Sequence, residues 1–252
     1  MWWLIPLFLA GFILVHAAKM LRLYLVLMEH KIGFGRFVLL YLKTTLVNLI
    51  IPLKLGELYR IFCISRETKH WQVGVLSILV DRFFDTLALC MILLPLDILI
   101  FGRLSFITLS FMGIMALIVI CYVSILPTFQ YLNRYIIRQK SSARAMAALK
   151  GLDVVKIWYD FTQNLIRGRF ALILLFSFAG WLLEIGTIKL LAAYLTIPFG
   201  VGDFTGYIEA IFGIGSSELL KPYTLYGILF MFVFTLIGIA VMFIKSRSKK
   251  KA

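Results

Sequence analysis

The stretch 104–126 passes without a single charged side chain, as does 223–244, and 73–100 and 170–196 are long and apolar around a few charges. A helix that crosses a bilayer needs about 20 mostly apolar residues. In hydrocarbon every backbone N–H and C=O must be bonded internally, so runs of this length fold as helices. Composition agrees. The chain is 62% apolar and 15% charged, with a mean hydropathy of +0.98. A soluble domain averages roughly 45–50% apolar and about 25% charged. A cytosolic enzyme is excluded, and so is a disordered chain, which needs low hydrophobicity. The expected fold is all-α: a polytopic integral membrane helix bundle in one domain, residues 1–252, with no room for a second soluble domain.

A fifth run lies at 2–18 (WWLIPLFLAGFILVHAA). No basic segment precedes it, and Lys19 and Arg22 follow it. It therefore reads as a retained helix whose C-terminal end faces the cytoplasm, not as a cleaved signal. Two further segments are apolar but broken. Residues 37–64 contain Pro52, Lys54, Gly56, Glu57 and Arg60, and residues 197–222 are rich in glycine with two prolines. Such breaks are tolerated at membrane depth only against protein or a watery cavity. Both segments are read as re-entrant hairpins, entering from opposite faces as in an inverted-repeat transporter.

Lys and Arg number 26 against 12 Asp and Glu, a net charge of +14. In a membrane protein this excess orients loops and meets anionic lipid, so no nucleic-acid partner is implied. With five spans, two re-entrant hairpins and the N-terminus outside, only Arg103 and Lys221 face outward. Lys43, Arg82 and Lys189 are embedded, and the other basic residues face the cytoplasm. The expected location is therefore the cell membrane, with the C-terminus cytoplasmic. In 128–169, Val155, Trp158, Tyr159, Thr162, Leu165 and Ile166 recur at helical spacing among cations. This suits helices lying in the head-group plane, or else ordinary connecting helices. The tail 245–252 (KSRSKKKA) reads as a polybasic anchor on an anionic surface.

Charges inside spans cost on the order of 2.5–3.5 kcal/mol each on insertion scales unless they pair or reach water. In VDRFFD, Asp81 and Asp85 share one helix face and Arg82 lies three residues from Asp85. They form either the wall of a polar cavity or an ion-pair cluster that fastens helices together. Glu184 sits near the middle of its run. It suits a salt bridge to Arg82 or Lys43, or a proton-binding carboxylate. Pro52 and Gly56 mark a helix restart whose free N–H groups suit an anion, and Arg60 adds bidentate recognition of phosphate. Gly213, Gly215, Ser216 and Ser217 ahead of Glu218 offer similar chemistry. Cys63, Cys90 and Cys121 read as small hydrophobes, and His16, His30 and His70 lack metal-ligand spacing. No cofactor or metal is implied, and no catalytic nucleophile is recognisable.

The segments NLIIPLKLGELYR (48–60) and VDRFFDTLAL (80–89) resemble the lysylphosphatidylglycerol synthase transmembrane-region family, also called flippase-like or UPF0104. Asn48, Pro52, Lys54, Gly56, Glu57, Arg60, Asp81, Arg82 and Asp85 fit its pattern. In FGIGSSE (212–218), Gly213, Gly215 and Glu218 fit a C-terminal element in which Phe212 replaces a glycine. The resemblance implies movement of a phospholipid or polyprenyl-linked lipid between leaflets, beside cell-envelope lipid or glycan synthesis. The synthase's aminoacyl-transferase domain is absent here, so lysyl transfer is not inferred. The alternative is a non-transporting subunit that docks a glycosyltransferase or lipid synthase through its basic cytoplasmic face. The substrate-binding residues expected are those nine together with Glu184, Gly213, Gly215 and Glu218.

Overall fold

The structure, a computed structural model, describes residues 3–51, 55–139 and 143–249. Pro52 and Lys54, both expected site residues, and the last three residues of the basic tail lie outside them. The described residues form helices without strands: α1 (Leu4–Leu27), α2 (Phe34–Ile50), α3 (Leu55–Thr68), α4 (Trp71–Leu96), α5 (Phe106–Gln139), α6 (Ala143–Ile166), α7 (Phe170–Leu195), α8 (Asp203–Ile211) and α9 (Leu220–Lys249). Five segments are long and apolar enough to cross a membrane: Leu4–His30, Trp71–Phe101, Phe106–Arg138, Phe170–Leu195 and Leu220–Ile244. The chain is thus an all-α polytopic bundle.

The antiparallel pair α1 and α7 forms its spine. Gly11 of α1 lies so close to α7 that a Cβ there would stand 2.7 Å from the Thr187 hydroxyl. Small residues at such crossings let apolar helices approach closely without a hydrophobic drive between them. The first helix corrects the sequence reading. It does not stop before Lys19 but runs on to Leu27, so Lys19 and Arg22 lie inside the bundle and not at its cytoplasmic rim. Arg60 likewise lies within the bundle, 4% exposed. Lys43 and Lys189 lie on the exposed faces of α2 and α7.

Helices α2 and α3 form a hairpin. Its open ends are joined by Arg36 and Glu67, 3.7 Å apart. The two helices close on each other at Gly56, where an added Cβ would stand 2.3 Å from the Asn48 Cα. Next to α2 lies α9, with Leu49 against Gly227 and Leu39 and Leu42 against Gly238. One face of α3 packs on α2 and α4, while Leu55, Leu58 and Phe62 are at least half exposed. An exposed apolar face of this kind fits a lipid environment.

The second broken segment is not a matching hairpin. It folds as the single short helix α8, followed by a non-helical turn over 212–219. The glycines of 212–218 free the backbone for a turn, and Gly213 adopts a left-handed φ of 74°. The expected boundary at residue 127 is also absent. Helix α5 passes through Pro127, because one missing donor does not stop a helix flanked by strong apolar helix formers. The spaced face of α6 packs inward, with Trp158 against Trp71, Tyr159 against Tyr122, and Leu165 1% exposed. Val155 remains 47% exposed.

Candidate functional site

Four helices bring their charges together mid-bundle. From α1, Arg22 is 1% exposed and reaches α4 with both edges of its guanidinium. Its Nε donates to Asp81 Oδ1 at 2.6 Å, Nη2 to Asp81 Oδ2 at 3.1 Å, and Nη1 to Asp85 Oδ1 at 2.5 Å. A further bond runs from Nη1 to the Ser177 hydroxyl of α7 at 3.3 Å. Such a planar fork suits bidentate pairing. Arg82 completes the group from its exposed side, 3.1 Å from Asp81 and 3.3 Å from Asp85.

The hairpin adds the next layer. Arg60 Nε and Nη2 donate to the hydroxyls of Thr44 and Thr45 at 3.3 and 3.0 Å, and its guanidinium lies 5.7 Å from the Tyr41 ring centroid. Glu57 stands 3.6 Å from Arg60 and 3.5 Å from Arg82. Asn48 Nδ2 donates to Glu57 Oε1 at 3.3 Å. On the same face of α1, three residues before Arg22, Lys19 pairs with Glu184 of α7 at 2.5 Å and lies over the Trp181 ring. The expected partners of Glu184, Arg82 and Lys43, are therefore replaced by Lys19. Only the continuation of α1 past residue 18 puts that ammonium at the right depth.

These groups surround a cavity of about 130 Å³ lined by His16, Lys19, Arg22, Tyr41, Thr45, Asn48, Arg60, Asp81, Arg82 and Asp85, with Leu23 and Leu49. This is the liquid volume of about four waters, enough for one phosphate group. Four cations and four carboxylates balance within and beside it. The side chain of Arg82 is 44% exposed, whereas those of Arg22 and Asp81 are each 2% exposed. The cavity is therefore lined by buried, paired charges on its inner side and by a half-exposed guanidinium, itself paired with Glu57, Asp81 and Asp85, on its outer side.

The second break lies elsewhere. A larger cavity, about 850 Å³, occupies the end of the bundle near Arg103 and α8, lined by Asp203, Glu209, Ser216, Ser217 and Glu218 among others. Behind it Asp97 is fully buried and accepts from Ser105 N at 2.8 Å and Thr205 Oγ1 at 3.1 Å. Gly213 and Gly215 belong to the turn beside this cavity, so the two glycine breaks do not share one site. Between the two cavities, the Glu184 carboxylate lies within electrostatic reach of the phenols of Tyr207 and Tyr223.

Of the expected site residues, Asn48, Gly56, Glu57, Arg60, Asp81, Arg82 and Asp85 gather at the central cavity. Glu184 stands beside it through Lys19, and Gly213, Gly215 and Glu218 stand apart. Sequence reasoning missed Arg22, Lys19, Ser177, Tyr41 and the Thr44–Thr45 pair. Two carboxylates on one face of α4 with only Arg82 beside them left a missing cation, and Arg22 and Lys19 are the cations adjoining the first apolar run.

The fold and site define a polytopic membrane helix bundle built around a buried, charge-balanced cavity. The family model for the lysylphosphatidylglycerol synthase TM region matches residues 1–215, and the chain belongs to that family. No curated protein matches it, and no solved structure does. Family and apolar helices together make this an integral membrane protein of lipid-related envelope processes.

Proposed function

We infer that the protein carries a lipid with a phosphate-bearing polar head group between leaflets, the head group passing through the central cavity while the acyl chains stay in lipid. The observation that supports this reading is the cavity itself: three guanidiniums and an ammonium line a phosphate-sized space, and α3, which carries Arg60 into it, has exposed apolar residues. A head group cannot cross hydrocarbon unaided for the reason an ion cannot. Charge-assisted hydrogen bonds contribute about 1.5–3 kcal/mol each, so two or three offset much of the lost hydration. Phospholipid and polyprenyl-linked phosphate both present this chemistry. No covalent step is required of the protein. Its expected placement is the cell membrane, N-terminus outside and basic end at the anionic cytoplasmic surface, where a glycosyltransferase or lipid synthase would find a docking face.

Reconstitution in vesicles with a leaflet-resolved assay of candidate lipids tests the reading. Faster exchange of a phosphate-bearing lipid than in empty vesicles supports it, and equal rates for every lipid tried sink it. The orientation has its own check. External single-cysteine labelling should reach Arg103→Cys and spare Lys31→Cys, and the reverse pattern would invert the topology.

A further inference from the structure

Glu57 and Asn48 hold half of a two-bond pair. Asn48 Nδ2 donates to Glu57 Oε1, and the amide oxygen Asn48 Oδ1 and the second carboxylate oxygen Glu57 Oε2 are both buried and without a hydrogen-bond partner. An amide and a protonated carboxyl pair through two parallel bonds, N–H to one carboxyl oxygen and the acid O–H to the amide oxygen. The first is already made. A single proton on Oε2 would supply the donor that this second bond lacks.

The charge balance says when that proton arrives. Asp81 and Asp85 balance Arg22 and Arg82, and Glu184 balances Lys19. Glu57 remains as the counter-ion of Arg60, at 3.6 Å, outside hydrogen-bond reach. A phosphate in the cavity takes over that role for Arg60 and Arg82. The Glu57 carboxylate would then face a second anion in a space sheltered from water, which favours its neutral form. The groups beside it are Asn48 from α2, Arg60 on its own helix and Arg82 from α4, and the adjoining cavity is lined by His16, Lys19 and Arg22 from α1, Tyr41 and Thr45 from α2, and Asp81 and Asp85 from α4. Of these His16 is the one imidazole, hydrogen-bonded to the Tyr41 hydroxyl at 3.1 Å.

We propose that Glu57 takes up one proton from water when a phosphate-bearing head group occupies the cavity, closing the acid–amide pair with Asn48 and passing Arg60 from carboxylate to phosphate. One anion and one proton enter together, so the cavity stays neutral throughout. The exchange rests on the head-group reading above and names the ion that accompanies the lipid.

The test is titration calorimetry of the full chain in detergent with short-chain phosphatidylglycerol, whose phosphodiester does not titrate near neutrality. Two buffers of different ionisation enthalpy give the protons taken up per lipid bound. Net uptake should approach one, and affinity should weaken as pH rises, by up to about tenfold per unit. Glu57→Gln should bind lipid with no uptake and a flat pH profile, while His16→Gln should keep the uptake. Binding by the wild type without proton uptake overturns the exchange and leaves the head-group site standing. Absence of saturable wild-type binding overturns both. Uptake that persists in Glu57→Gln, or vanishes in His16→Gln, moves the proton to another group and overturns the role of Glu57. The wild-type measurement decides whether a proton accompanies the lipid even if a variant fails to fold.

Discussion

At Gly56 the backbone is pressed against Asn48, with no space for a Cβ, whereas at Gly213 nothing lies within 4 Å and the residue adopts a left-handed φ of 74°. The glutamates differ in the same way. Glu57 is held between Arg60 and Arg82 beside a small cavity, and Glu218 is exposed at the mouth of a large one. Both breaks combine glycine with a following glutamate. In the first, glycine lets two helices meet so that charges from four helices converge. In the second, glycine turns the chain at the rim. Size misleads here, because the larger cavity has the fewer fixed charges. Recognition of a charged head group depends on desolvated, preorganised donors, which the central cavity has and the rim does not.

The largest effect should come from Arg22→Ala. It leaves Asp81 and Asp85 without their main cation, and breaking a buried pair costs about 3–5 kcal/mol. Loss of the monodisperse peak on size-exclusion chromatography is expected. A normal peak and melting temperature would show that Arg82 alone suffices, and the centre would no longer stand apart from the rim. Gly56→Ala comes next, because its methyl group would meet the Asn48 backbone; overpacking of this kind costs typically about 1–3 kcal/mol. Gly206→Ala in α8, where an added Cβ meets nothing within 4 Å, should leave the thermal midpoint unchanged. Equal shifts for the two would dissolve the contrast in packing.

Arg60→Ala should leave a folded protein, since its hydrogen-bond acceptors are threonine hydroxyls, and should slow lipid exchange about tenfold or more, as expected for the loss of one charge-assisted bond. Collapse of folded protein instead would make Arg60 a structural fastener. The smallest effect belongs to the rim. Glu218→Gln should change the exchange rate less than about twofold, because an exposed charge contributes little. A loss as large as that of Arg60→Ala would move the site to the larger cavity.

Much of the architecture is legible in the chain. The apolar runs mark the five long helices, since backbone in hydrocarbon has few alternatives to helix. Pro52, Gly56 and Glu57 mark the first break, and VDRFFD marks a charged face that had to meet something. The partners were not legible. Lys19 and Arg22 follow an apolar run, and by the rule that places cations at the cytoplasmic edge they read as its end. They are inside because carboxylates 59 and 165 residues away are there to receive them. The similar chemistry of the two glycine breaks likewise put both among the expected substrate-binding residues, but helix packing separated them. Sequence alone determined which segments leave water, because that depends on the local density of apolar groups. Only the tertiary structure decided which charges go with them, because a buried charge is tolerated by partners that the chain brings from far away.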